Sequence, residues 1–109
     1  MGLLFDLFRR TDINSRLEEV CDVKRAVLLD VRNAEEFGQG HIPGAVNIPV
    51  DSIERISGKV KKKDTPIYSY CLSGARSGKA VAALKAMGYT NVTNIGGINR
   101  YKGELEKEH

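Results

Sequence analysis

Residues 66–78 read Pro66-Ile67-Tyr68-Ser69-Tyr70-Cys71-Leu72-Ser73-Gly74-Ala75-Arg76-Ser77-Gly78, and this stretch decides the fold. Its first half, residues 66–71, follows a proline and is rich in β-branched and aromatic side chains, which predicts a strand. The second half is small and polar and leads into a helical stripe from about Ser77, with Ala80, Val81, Ala83, Leu84 and Met87 on one side. Gly88 follows as a left-handed cap. Strand, tight loop and helix thus succeed one another within about twenty residues.

Outward from there, three more runs have the composition of strands, at residues 26–31, 45–48 and 92–95. The first is almost continuously apolar, as expected of a strand covered on both faces. Helical signals lie between them. Asn14-Ser15 opens a short helix over residues 16–20. Asn33 with Glu36, and Asp51 with Glu54, have the spacing of capping boxes. A weaker helical segment covers residues 99–107. Strands alternating with helices predict an α/β fold, a mostly parallel sheet with helices on both faces.

The chain has 109 residues, enough for one core and too few for two domains. At 41% hydrophobic and 28% charged it has the balance of a globular protein, which excludes disordered, collagen-like and coiled-coil classes. Residues 1–9 are expected to form an N-terminal extension and residues 10–109 the domain. Apolar residues 3–8 are interrupted by Asp6 and have no basic segment before them, so neither a signal peptide nor a membrane span is expected. Asp6 also occupies the position where myristoylation wants Ser or Thr. The expected compartment is the cytoplasm. Net charge is +3, and the one dense basic run, over residues 59–63, has no interleaved aromatics. It reads as a solvated loop, with no nucleic-acid partner.

In parallel sheets, ligands bind outside the carboxyl ends of the strands. That rule gathers Asp30-Val31-Arg32, Cys71-Leu72-Ser73-Gly74 and Gly96-Gly97 on one rim. The connection after Cys71 aims several backbone N–H groups at one spot, where the start of a helix adds its dipole. A sulfur at that spot is favoured as its anion. The dipole contributes only about 0.3–1 kcal/mol, so direct N–H bonds and the Arg76 cation are needed as well. The alternative is that Cys71 is a small buried hydrophobe at a strand end. Against it, Ser, Gly, Arg and Ser follow where apolar packing would be expected.

At this point the chain resembles the rhodanese family. The likeness extends beyond Cys-x-x-Gly-x-Arg. Leu29-Asp30-Val31-Arg32, Glu35-Glu36-Phe37 and Gly40-His41-Ile42-Pro43-Gly44-Ala45-Val46-Asn47-Ile48-Pro49 resemble the family's N-terminal signature. Ala86-Met87-Gly88-Tyr89, Asn91-Val92 and Gly96-Gly97-Ile98 resemble its C-terminal one. Together they cover roughly residues 10–106. The resemblance implies a central five-stranded, mostly parallel sheet. It implies a nucleophilic Cys71 that takes a sulfane sulfur as a persulfide and passes it on. The loop of Leu72, Ser73, Gly74, Ala75 and Arg76 becomes the cradle for substrate, and Arg76 orients an anionic donor. The implied partners are a small anionic sulfur donor (thiosulfate, polysulfide or persulfide) and a thiophilic acceptor. Cyanide serves as acceptor in vitro, and a cellular thiol or carrier protein in the cell. No cofactor is implied.

Related phosphatases and arsenate reductases place five residues between Cys and Arg; here four lie between Cys71 and Arg76, which resembles the sulfurtransferase loop. A non-catalytic binding or sensing module is the other alternative. Leu72 stands where many thiosulfate-using members carry a basic residue, and Tyr101 where the family usually has Trp. Among the remaining candidates, His41 reads as a turn residue. Asp30 and Arg32 read as charge pairs with each other or with Glu35 and Glu36. Cys21 reads as core packing, and Gly96-Gly97 as a close backbone approach. The two cysteines and two histidines are scattered without ligand spacing and His109 is terminal, so no metal is expected.

Overall fold

Strands β1 (Val27–Asp30) and β3 (Ile67–Cys71) pair in parallel at the centre of the sheet. Strand β2 (Val46–Asn47) lies outside β1, and β4 (Val92–Gly97) outside β3. The order is β2-β1-β3-β4, four strands among the described residues where five were expected. The computed structural model describes residues 12–108, so the expected extension at residues 1–9 lies outside the described residues. Only four runs of the sequence have strand composition, and each supplies one strand. The expected helix over residues 99–107 is also absent. A 3-10 turn at Ile98–Arg100 is followed by extended chain, which meets His41 through an isolated antiparallel bridge at Glu106.

Alternation along the strands splits the core in two. Leu29, Ile67 and Cys71 face one way, toward Ile53, Ile56, Ala80 and Leu84. Leu28, Tyr70 and Ile95 face the other, toward Ile13 and Leu17. Leu29, Ile56, Ile67 and Leu84 are fully buried, each worth about 1.5–3 kcal/mol of transfer from water.

The helices cover these two faces. Helix α1 (Ile13–Asp22) starts earlier than Asn14-Ser15 suggests, because Asp12 caps it: its carboxylate accepts from the Asn14 N–H at 3.0 Å. Ile13 and Leu17 point inward, and Cys21, in the last turn of the helix, is exposed and not in the core as expected. Helix α2 (Ala34–Gln39) carries the capping box of Asn33 and Glu36. The second expected box does not form. Pro49 opens a 3-10 turn over Val50–Arg55 in which Ser52 leaves helical angles, and Asp51 makes no capping bond. That turn runs into α3 (Ile56–Lys59). Helix α4 (Ala75–Ala86) buries Ala80 and Leu84 against the sheet, with Val81, Ala83 and Met87 alongside, and stops before Gly88.

Candidate active site

Cys71 is the last residue of β3, and its position follows from the strand's period of two. Ile67, Ser69 and Cys71 share the face that meets α4. The sulfur is therefore buried, at 1% exposure, under the first turn of that helix. Two backbone amides point at it. The Gly74 N–H donates to Sγ at 3.0 Å and the Ser77 N–H at 3.3 Å. The chain turns back on its own sulfur because Gly74, at φ 105°, takes a left-handed conformation that a side chain would strain.

Three contacts from neighbouring elements fix the loop. The Ser77 hydroxyl donates to Ser69 Oγ at 2.8 Å, joining α4 to β3 in a fully buried hydrogen bond. The Asn94 amide donates to the Gly74 carbonyl at 3.1 Å, and the Asn99 N–H to the Leu72 carbonyl at 3.1 Å. Asn94 is aimed there by an irregularity in β4. Ser69 pairs with Asn94 and Tyr70 with Gly96, so Ile95 is an extra residue on β4. Gly97 then lies so close that a Cβ there would come within 2.7 Å of Ser73 Cα. This is the close approach expected of the Gly96-Gly97 pair.

The candidate cradle residues separate into groups. Gly74 touches the sulfur. Leu72, at 47% exposure, lies on the outer side of the loop, as do Ser73 and Ala75. Arg76 reaches α2. Its Nη1 donates to Glu36 Oε1 at 2.6 Å and its Nη2 to Oε2 at 2.9 Å, a two-pronged ion pair. The hydrogen bonds from Arg76 hold the Glu36 carboxyl down to about 2, and the same bonds raise the guanidinium. Asp30 and Arg32 pair with each other, the first of the pairings expected of them: Nη2 meets Oδ2 at 2.8 Å with both side chains buried, and a further bond runs to the Gly40 carbonyl at 2.7 Å. Burial works against the Arg32 charge, and the hydrogen bonds and field of Asp30 outweigh it, so the guanidinium is raised.

Ser77, Glu36 and Asn94 contact the loop of the candidate site, and the sequence reading assigned none of them a role there. A polar Ser69 between two tyrosines of a strand was the one sequence hint of a buried partner such as Ser77. His41 is structural, as expected: Nδ1 sits 2.9 Å from the Phe37 carbonyl and its ring stacks on Phe37. Two hollows flank the loop. One of about 340 Å³ is bordered by Arg32, Glu36, Leu72, Ile98 and Leu105. The other, about 450 Å³, is bordered by Asp12, Ser73, Gly96, Gly97 and Arg100. Among the described residues no group of three or more His, Cys, Asp or Glu side chains is placed to hold a metal ion.

Residues 13–104 match the rhodanese-like domain family. The chain belongs to the rhodanese family. Thiosulfate sulfurtransferase PspE of Escherichia coli (strain K12) is 44% identical over 71 residues, covering 64% of this chain and 68% of that protein. Thiosulfate:glutathione sulfurtransferase of Homo sapiens is 36% identical over 97 residues, covering 77% of this chain and 83% of its own. The solved rhodanese with anions from E. coli aligns with a TM-score of 0.70 at 38% identity, over 75% of this chain and 98% of that one. Several other relatives are longer proteins, of whose length the match spans 43% or less. PspE and the human protein are both named as sulfurtransferases, so sulfur transfer is the general chemistry these two relatives share.

Proposed function

We propose that this protein moves a sulfane sulfur from a small anionic donor to a thiol or other thiophilic acceptor through a persulfide on Cys71. The observation that carries the proposal is the convergence of the Gly74 and Ser77 amides on Sγ. A hydrogen bond to a charged acceptor is worth about 1.5–3 kcal/mol, so two fixed donors favour the thiolate, and a persulfide anion is favoured by donors placed the same way. They are held in place before any substrate arrives, so little reorganisation is needed during the reaction.

The chemistry balances without a cofactor. The Cys71 thiolate attacks the outer sulfur of thiosulfate, the S–S bond of the donor breaks, and sulfite leaves with its electron pair. The terminal sulfur of the persulfide is then attacked by cyanide or by an acceptor thiolate. That releases the Cys71 thiolate with thiocyanate or a new persulfide. Arg76, at the exposed end of the loop, orients the anionic part of the donor, while Leu72, Ser73 and Ala75 form the surface that the acceptor meets. A relative whose name couples thiosulfate to glutathione supports a thiol as acceptor. We place the reaction in the cytoplasm, where thiols stay reduced. No helix among the described residues is long and apolar enough to cross a membrane.

Two half-reactions on one cysteine predict ping-pong kinetics. Initial rates with thiosulfate and cyanide, each varied, should give parallel double-reciprocal lines. Cys71→Ser should lower the rate by on the order of 10³-fold or more while circular dichroism stays native. Retained activity in a folded Cys71→Ser protein refutes the proposal.

A further inference from the structure

The loop arginine is already engaged. Both of its terminal nitrogens are taken by Glu36, which is itself held: Glu36 Oε1 also accepts from the Asn33 N–H at 3.1 Å, and its backbone N–H donates to Asn33 Oδ1 at 2.8 Å. Arg32, the other arginine on that side of the rim, is neutralised by Asp30. Leu72 adds an apolar side chain at the mouth. Any donor that binds through Arg76 must take the place of a carboxylate held by three hydrogen-bond donors, or share the guanidinium with it.

We infer that Glu36 is a positioning residue that sets donor preference by charge: as the standing counter-ion of Arg76, it penalises a dianionic donor more than a monoanionic one. Thiosulfate carries two charges, and the hollow beside the loop in which a donor held by Arg76 would sit is bordered by Glu36 and Leu72. A thiosulfonate, RSO₂S⁻, delivers the same sulfane sulfur with one charge and leaves as a sulfinate. The repulsion from Glu36 scales with donor charge, so the site is tuned toward sulfur donors of low negative charge. The inference rests on the reading of Cys71 as the sulfur acceptor.

The test is steady-state kinetics of the full chain with thiosulfate and with methanethiosulfonate, cyanide being the acceptor in both. Glu36→Gln keeps the capping box, since Gln serves at that position as well as Glu, and removes the charge. The ratio of kcat/KM for thiosulfate to that for methanethiosulfonate should rise about 3–10-fold, mainly through the KM for thiosulfate, and the gain should shrink as salt is added. Glu36→Ala, which removes the charge together with the capping contact, should move the ratio the same way by at least about threefold. It also serves if Glu36→Gln fails to fold. A ratio that stays within twofold of wild type, or falls, in the folded variants overturns the inference, because a purely structural Glu36 would alter both donors equally. Failure of the underlying reading looks different: wild-type protein would then take sulfur onto Cys71 from neither donor.

Discussion

The carboxyl ends of β1 and β3 lie side by side, with Asp30 opposite Tyr70, and they handle charge in opposite ways. At the end of β1 two formal charges are buried together. The Asp30 carboxylate accepts from the Arg32 backbone N–H, from Nε and from Nη2, and Arg32 uses another bond on Gly40. Each of these partners is internal, so the two charges are spent chiefly on each other. At the end of β3 a single sulfur receives two amide hydrogens, both from the backbone. Its arginine stands off to the side, paired at partial exposure. Donors that come from the backbone remain when a substrate leaves, whereas a side-chain counter-ion would have to be displaced. The closed pair builds the rim, and the open cradle is suited to chemistry.

The comparison is broken most severely at the closed end. Asp30→Ala leaves the Arg32 guanidinium buried with only the Gly40 carbonyl, and should cost about 3–5 kcal/mol of stability, read by urea unfolding. The folded fraction should still accept sulfur on Cys71. Loss of sulfur uptake at full foldedness would show that the β1 end takes part in the reaction.

Ser77→Ala sharpens the contrast between backbone and side chain. It removes the hydroxyl bond to Ser69 and strands a buried polar group, which should cost about 1–3 kcal/mol. The amide to Sγ remains, and with it sulfur uptake, as measured by the rate of thiocyanate formation. A loss of rate as deep as that of Cys71→Ser would move the role from the amide to the hydroxyl.

The smallest effect is electrostatic. Glu36 is held near about 2 by its bonds to Arg76, below the ordinary carboxylate value of 4.5. The stabilisation is therefore complete above about 4.5 and is lost as pH falls through about 2. Partial exposure limits it to about 1 kcal/mol or less. Thermal unfolding of wild type and Glu36→Gln should differ at about pH 6 and converge only below about pH 2. A difference that persists unchanged at low pH would argue that the pair contributes through packing.

Much of this was legible from residue order. Strands β1, β3 and β4 announce themselves as β-branched or aromatic runs between turn residues, and Cys71, Gly74 and the start of α4 follow each other in the chain. Contacts between distant positions were not legible. Glu36 and Arg76 are 40 residues apart, and the sequence offered Arg32 as an equally good partner. Which carboxylate takes which arginine depends on how α2 sits over the loop, and no local rule fixes that. Cys21 was misplaced because a helix of ten residues turns its last positions out of the core. The 3-10 turn after Pro49 and the extended run beyond Arg100 carry capping or helical patterns in the sequence, and such patterns do not reveal backbone angles like those at Ser52.

The central claim is that an amide-held Cys71 carries the transferred sulfur as a covalent intermediate. Mass spectrometry of wild-type protein mixed with thiosulfate, without acceptor, tests it in one step. The account predicts one added sulfur, about 32 Da, on the peptide containing Cys71, removed when cyanide is supplied. An unmodified Cys71 peptide in protein that turns over thiosulfate, or an adduct confined to Cys21, would contradict it.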